Sequence, residues 1–212
     1  MEITWYGLSC FRLVERGMAT VVTDPYDHRQ AGYEPLKLRA DIVTVSHNSP
    51  GHNYLDAVSG EPYVITGPGE YEVGGVFITG IQLDSRAAQG ERNTIYVFDY
   101  NSLTVAHLGD LDHVPSQTEI EAVGAINVAL VPIGSGRGLN ASRAAEVISM
   151  LEPNIVIPMH YATPDCNIPL DSLSKFLKEM GISEIETLPS IKLSAASLPE
   201  ATQVMVLDYQ SN

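Results

Sequence analysis

Cysteine is scarce in this 212-residue chain, with Cys10 and Cys166 the only two. At most one pair can form, so a disulfide scaffold is excluded, and reduced thiols fit a cytoplasmic setting. Whether the two meet in space is left open by the sequence. Basic residues are few as well, 12 Lys+Arg against 26 Asp+Glu, for a net charge of −14. That balance repels phosphate backbones and anionic lipid, and no basic cluster marks a groove, so no nucleic-acid partner is expected. Net charge does not fix the local field, and a small basic site for an anionic substrate stays compatible with it. Long apolar runs are also missing; none reaches the roughly 18 residues of a membrane span. The opening MEITWYGLSCF has neither the basic start nor the apolar stretch of a signal peptide. A cytoplasmic protein without a membrane partner is therefore the expectation. Homo-oligomerisation is left open.

What is present is a globular composition, 44% apolar and 18% charged, in a length that suits one domain over residues 1–212. The first half is a succession of short β-type runs between turn signals: EITWYG, FRLVE, ATVVTDP, DIVTVSH, YVITG, GVFITGIQL, TIYVFDY and LTVAHLGD. Asp99-Tyr100-Asn101-Ser102 reads as a hairpin turn. The second half alternates. SQTEIEAVG, NASRAAEVISMLEP and PLDSLSKFLKEMG carry caps and helical spacing, while INVALVPIG and NIVIPMH are strand-like. Strands first, then strands alternating with helices, predict two sheets between outer helices, with polar residues gathered in the loops at one end.

Six histidines occur: His28, His47, His52, His107, His113 and His160. His47 and His160 directly follow apolar strands, His52 comes five residues after His47, and Asp110 follows LTVAHLG in the same manner. Strand ends are rigid, and side chains from several of them can converge on one point, as a metal requires. Imidazole and carboxylate suit zinc, iron or manganese. Taken alone, a histidine after a strand is more often a hydrogen-bonded structural residue than a ligand.

The order of six segments resembles the metallo-β-lactamase superfamily, and within it the branch of L-ascorbate-6-phosphate lactonase-like metal-dependent hydrolases. WYGLSCF is similar to that branch's WLGHSCF opening, and VVTDPY to its strand ending in Asp-Pro. DIVTVSHNSPGH stands at its His-x-His-x-Asp-His signature, and GVFITGIQLDS at a strand ending in a ligand histidine. LTVAHLGD and IVIPMHY stand at the segments carrying the bridging aspartate and the last histidine. The resemblance implies an α/β fold, the αββα sandwich of two mixed sheets between outer helices. It also implies one or two divalent ions, zinc first and manganese or iron as alternatives. The activity it implies is hydrolysis of a small-molecule metabolite (lactone, ester or phosphoester) by metal-bound hydroxide.

The chain departs from the motif. His47 and His52 match its first and last histidines, but Ser49 and Gly51 stand at its second histidine and its aspartate. Asp84 takes the place of the next histidine, and Leu8 that of a polar residue. The expected arrangement is one ion held by His52, Asp110 and His160, with His47 and Asp84 as a partial second set. With Gly51 in place of aspartate, another carboxylate must orient the attacking water. Glu70 in GPGEYEVGG is the candidate, a solvated acid beside a turn being its alternative. Asp24 reads as an acid orienting a ligand or as a turn cap. His107 reads as a core residue beside the ligands, and His28 and His113 as surface loop residues. PIGSGRGLN, with Arg137, reads as an anion cradle or an ordinary glycine-rich loop. Cys10 has no base partner, so a catalytic thiol is not expected. The rival reading is a member of the fold that has lost hydrolysis and serves as a ligand-binding or protein-interaction module.

Overall fold

A computed structural model describes residues 1–84 (of Asp84 the backbone alone), 92–136 and 138–211. The N-terminal runs form an antiparallel meander of β1 (Glu2–Trp5), β2 (Phe11–Val14) and β3 (Val21–Thr23). After a one-turn helix, α1 (His28–Ala31), come β4 (Leu38–Arg39) and β5 (Ile42–Thr44), the latter parallel to β3. β6 (Val58–Ser59) pairs with β4, and β7 (Tyr63–Ile65) lies parallel to β5.

The second sheet starts as an antiparallel run of β8 (Gly69–Val73), β9 (Val76–Asp84), β10 (Arg92–Asp99) and β11 (Thr104–His107). The turn between β10 and β11 is the one the sequence indicates: the Asn101 N–H donates to Asp99 Oδ1, and Asn101 takes φ 65°. The chain then alternates through α2 (Gln117–Val123), β12 (Val128–Pro132), α3 (Ala141–Leu151), β13 (Ile155–Met159) and α4 (Leu173–Glu179). Its tail supplies β14 (Thr187–Leu188), β15 (Ile191–Lys192), β16 (Gln203–Val204) and β17 (Val206–Leu207). The strand orders are β15-β1-β2-β3-β5-β7 and β16-β13-β12-β11-β10-β9-β8. Both sheets are mixed, as expected. β14–β17 and β4–β6 are small pairs outside them.

Side-chain alternation sets the layers. In β3 and β5, Val21 and Ile42 enter the core between the sheets, while Val22 and Val43 pack on the opposite face with Ala31 of α1. β12 and β13 are buried along their whole length, which is the mark of parallel strands covered on both faces. α3 covers one of those faces. Its Ala144, Val147, Ile148 and Leu151 are buried at helical spacing, and Asn140 caps it by accepting from Arg143 N–H. α4 starts later than the sequence pattern indicates. Asp171 N–H donates to Gly134 O and Ala162 N–H to Asp171 O, so residues 169–171 are tied to neighbouring loops before the helix begins. Cys10 and Cys166 are free. Among the described residues no helix is long and apolar enough to cross a membrane.

Candidate metal centre

The ends of β3, β5, β11 and β13 share one edge of the sandwich. Asp24 follows β3 and His160 follows β13, both with positive φ, 39° and 53°. Beyond β5 the chain makes a tight loop in which Ser49 N–H donates to His47 O and His52 N–H to Ser49 O, bringing both histidines over the same edge. After β11, Gly109 turns the chain with φ 60°. A Cβ there would lie 2.2 Å from Asn93 Oδ1, so only glycine fits. That close approach lets Asn93 Oδ1 accept from Asp110 N–H while Asn93 Nδ2 donates to Leu108 O.

Three imidazoles ring the Asp110 carboxylate. His52 Nε2 and His47 Nε2 lie 3.4 and 3.6 Å from Oδ2, and His160 Nε2 lies 3.5 Å from Oδ1. His47, His52 and Asp110 form the tightest group, with ligand atoms all within 4.8 Å of one another. His160 stands on the other carboxylate oxygen. Asp110 Oδ1 and His160 Nδ1 are buried and have no hydrogen-bond partner.

The surrounding hydrogen bonds fix the tautomers. Asp24 Oδ1 accepts from Ser46 N–H, and Oδ2 accepts from the Ser46 hydroxyl at 2.6 Å and from His52 Nδ1–H at 2.8 Å. Ser46 has spent its one hydroxyl proton on Asp24. Its contact with His47 Nδ1 at 3.1 Å is therefore a bond in which Nδ1–H donates. His47 and His52 each carry a proton on Nδ1, and their Nε2 atoms face Asp110. His107 is locked the other way: Nε2–H donates to Ser9 O, and Nδ1 accepts from Gly109 N–H. Both its nitrogens are used, so it is a neutral core residue.

Burial opposes charge throughout the cluster, and the carboxylates decide where charge survives. Asp110 would be raised by burial, yet His160, His52 and His47 hold it far below the ordinary carboxylate range. Burial alone would lower His52, but Asp110 and Asp24 on either side push it up to about 10. His47 falls to about 4 through burial and the charge on His52, and burial also lowers His160. At neutral pH the group therefore holds two carboxylates and one protonated imidazole, one negative charge in all. Replacing the proton by a divalent cation neutralises it.

The donor set fits such an ion. Tetrahedral ligands at about 2.1 Å stand about 3.4 Å apart, which is the spacing of each Nε2 from its carboxylate oxygen. The orphaned Asp110 Oδ1 is the kind of buried atom that needs a partner.

The structure thus brings together His47, His52, Asp110 and His160. His47 and His52 face the same Asp110 oxygen, with rings 4.1 Å apart. The side chain of Asp84, at the end of β9, lies outside the described residues, as does Arg137. Glu70 is not brought to the cluster. Its glycine-rich segment is the edge strand β8 rather than a loop, Glu70 is exposed opposite Thr79, and three strand spacings, about 14 Å, separate β8 from β11. Asp24 orients His52. His113 is buried and bonded to Asp112 at 2.7 Å, so it is not a surface residue. His28 is half-buried, 3.8 Å from Asp27. Burial pushes the Cys10 thiol well up, which removes it as a nucleophile. Leu8 is fully buried, and its Cδ1 would lie 3.7 Å from a Cβ on Gly51. In the glycine-rich loop, Gly134 has a packing reason: a Cβ would lie 2.0 Å from His160 O. Ser46 and Asn93 were not visible in the sequence, since nothing local marks a serine or asparagine whose partners come from another strand.

The chain is similar to known proteins along most of its length. Residues 2–160 match the model of the beta-lactamase superfamily domain. A UPF0173 protein of Pyrococcus furiosus is 32% identical over 77% of this chain and 84% of its own. A UPF0173 metal-dependent hydrolase of Thermoplasma acidophilum is 26% identical over 78% and 85%. A crystal structure from Thermotoga maritima, of a proposed Zn-dependent hydrolase of the metallo-β-lactamase superfamily, superposes with a TM-score of 0.81. It is 35% identical and 99% of each chain is covered. The chain belongs to the metallo-β-lactamase superfamily and, within it, to the UPF0173 metal-dependent hydrolase family.

Proposed function

We propose that the protein is a metal-dependent hydrolase of a small metabolite, binding its ion through His47, His52, Asp110 and His160. The observation that carries this reading is the ring of three imidazole nitrogens, 3.4–3.6 Å from one buried carboxylate. Three nitrogens and one carboxylate favour zinc, with manganese or iron as alternatives. A divalent ion supplies Lewis-acid polarisation of a carbonyl or phosphoryl oxygen and acidifies water. The chain's own residues supply orientation. Asp24 aims His52, Ser46 aims His47, and Asn93 fixes the Asp110 backbone. Asp110 Oδ1, lacking a hydrogen bond, is the carboxylate oxygen placed to bind the ion beside the cleft. The lactonase-like resemblance places lactones, esters and phosphoesters first among substrates.

The test is elemental mass spectrometry on protein purified without chelator or affinity tag, with His52→Ala and His160→Ala alongside. The expected result is about one equivalent of zinc, manganese or iron, lost in both variants. Two equivalents would bring Asp84 into a second set. No metal after incubation with each ion would favour the non-catalytic module.

A further inference from the structure

The cluster opens into a cleft of about 330 Å³, with His52, Asp110 and His160 at its floor and Ala31, Ile168, Pro169 and Leu170 among its walls. Small-ligand pockets combine an apolar lining with a few converging polar groups, and this cleft has that make-up. The wall is the segment between β13 and α4, and it is held at both ends. Asn167 N–H donates to Ala31 O, while Asp171 N–H donates to Gly134 O and Asp171 O accepts from Ala162 N–H. The Asp171 carboxylate also accepts from the Ser135 hydroxyl and from Lys175. Residues 168–170 are thus bracketed by fixed neighbours. Ile168 and Leu170 are half-buried and pack against the apolar cluster that contains Leu8 and Ala31, so the wall has solid backing. Gly51, next to His52 in the chain, lines the cleft as well. A Cβ there would meet Leu8 Cδ1 at an ordinary 3.7 Å, so the missing side chain leaves space to the cleft.

A substrate whose reacting carbonyl sits at the cluster therefore has a rigid apolar surface beside it. We infer that the substrate is an ester of a short-chain fatty acid, and that Ile168, Pro169 and Leu170 set its acyl specificity by holding the hydrocarbon chain. This rests on the hydrolase reading. Among lactones, phosphoesters and esters, a simple ester fits this wall: a lactone ties its chain back into a ring, and a phosphoester surrounds its reacting atom with ionised oxygens. The reaction is R–CO–OR′ + H₂O → R–COOH + HO–R′, in which water oxygen bonds to the acyl carbon, the C–OR′ bond breaks and the alcohol leaves with a proton. At 330 Å³ the cleft is at the small end for ligand sites, which suits an acyl chain of about four carbons.

The experiment uses zinc-loaded full-length protein and alkyl hydroxamates, which pair a zinc-chelating head with a hydrocarbon chain and contain no ester to cleave. Calorimetry measures Kd for acetohydroxamate, butyrohydroxamate and octanohydroxamate with wild type, Leu170→Ser and Leu170→Met, and Ile168→Ser replaces Leu170→Ser if that variant fails to fold. A fully buried methylene tightens binding about fourfold. The two added between the acetyl and butyryl probes are expected to gain at least fivefold in wild type and in Leu170→Met, and less than twofold in Leu170→Ser. The octanoyl probe is expected to gain less than twofold more, and a continued rise overturns the short chain. Equal gains in wild type and the serine variant, or no binding of butyrohydroxamate at about 10 mM, overturn the wall. Hydrolysis of ethyl butyrate and ethyl acetate is then measured separately. A chain-length gain in binding without turnover of either ester keeps the wall and removes the hydrolase reading, whereas turnover with no preference for butyrate does the reverse.

Discussion

The two sheets hold their shares of the cluster in different ways. On the first-sheet side, His47 and His52 are oriented through side chains, by an Asp24–Ser46 pair that accepts a proton from each ring. On the second-sheet side the backbone does the orienting. His160 sits at φ 53°, its N–H donates to Leu8 O, and its carbonyl nests against Gly134, while its Nδ1 has no partner. Both rings of the pair His52 and His160 are buried beside the same carboxylate, yet His52 is pushed up to about 10 and His160 is lowered. Burial alone therefore does not set the charge of a histidine. The second carboxylate, Asp24, distinguishes the two.

The strongest challenge to that division is Asp110→Asn, which removes the group both sides share. Metal content should fall from about one equivalent to near zero. The apo protein should lose about 3 kcal/mol in urea unfolding, because a protonated His52 is left facing a neutral amide. Retained metal would show that the histidines suffice without the carboxylate.

The next largest effect concerns the proton on His52. Metal must displace it, so apparent zinc affinity, measured by chelator competition, should rise about tenfold per unit between pH 6.5 and 8.5. His47 and His160, already neutral there, should add nothing to the slope. The same group gives the apo protein stability that is fully present below its unfolded pKa, about 6.5, and is lost as pH rises through about 10. A flat affinity profile would mean that His52 is neutral and the contrast with His160 unfounded.

Asp24→Asn probes the first-sheet side alone. Zinc affinity should fall about 10- to 100-fold with the pH slope reduced, since His52 loses the partner that holds its proton. The counterpart across the seam is Gly134→Ala, whose methyl would collide with the His160 carbonyl. It should weaken zinc only several-fold and cost about 1–3 kcal/mol of stability, with the pH slope unchanged. Equal slopes in the two variants would erase the distinction between side-chain and backbone orientation.

Much of this molecule was readable in the chain. Strand ends marked by His47, Asp110 and His160 did converge, because strand runs are long enough to set direction and the ligands follow them at once. The caps of α2 and α3 were legible because their signals are local: Ser116 with Glu119, and Asn140. What could not be read was pairing across the fold. GPGEYEVGG has the composition of a loop, yet β9 offers it an edge, so Glu70 went into a strand. His113 reads as a loop residue in the sequence because its burial depends on packing that no nearby residue announces. A motif numbers residues in order and cannot say that His47 and His52 fold onto one oxygen.

Because His47 and His52 come from one sheet and Asp110 and His160 from the other, an ion bound here is a clasp across the sandwich. It closes a loop from His47 to His160, more than half the chain, and it does so only in the folded state. At a free ion concentration a thousand times its Kd, such a clasp contributes about 4 kcal/mol against unfolding. Availability of the ion would then set the lifetime of the folded chain as well as its chemistry, so a cell short of metal would hold less of the protein, not merely a less active form of it.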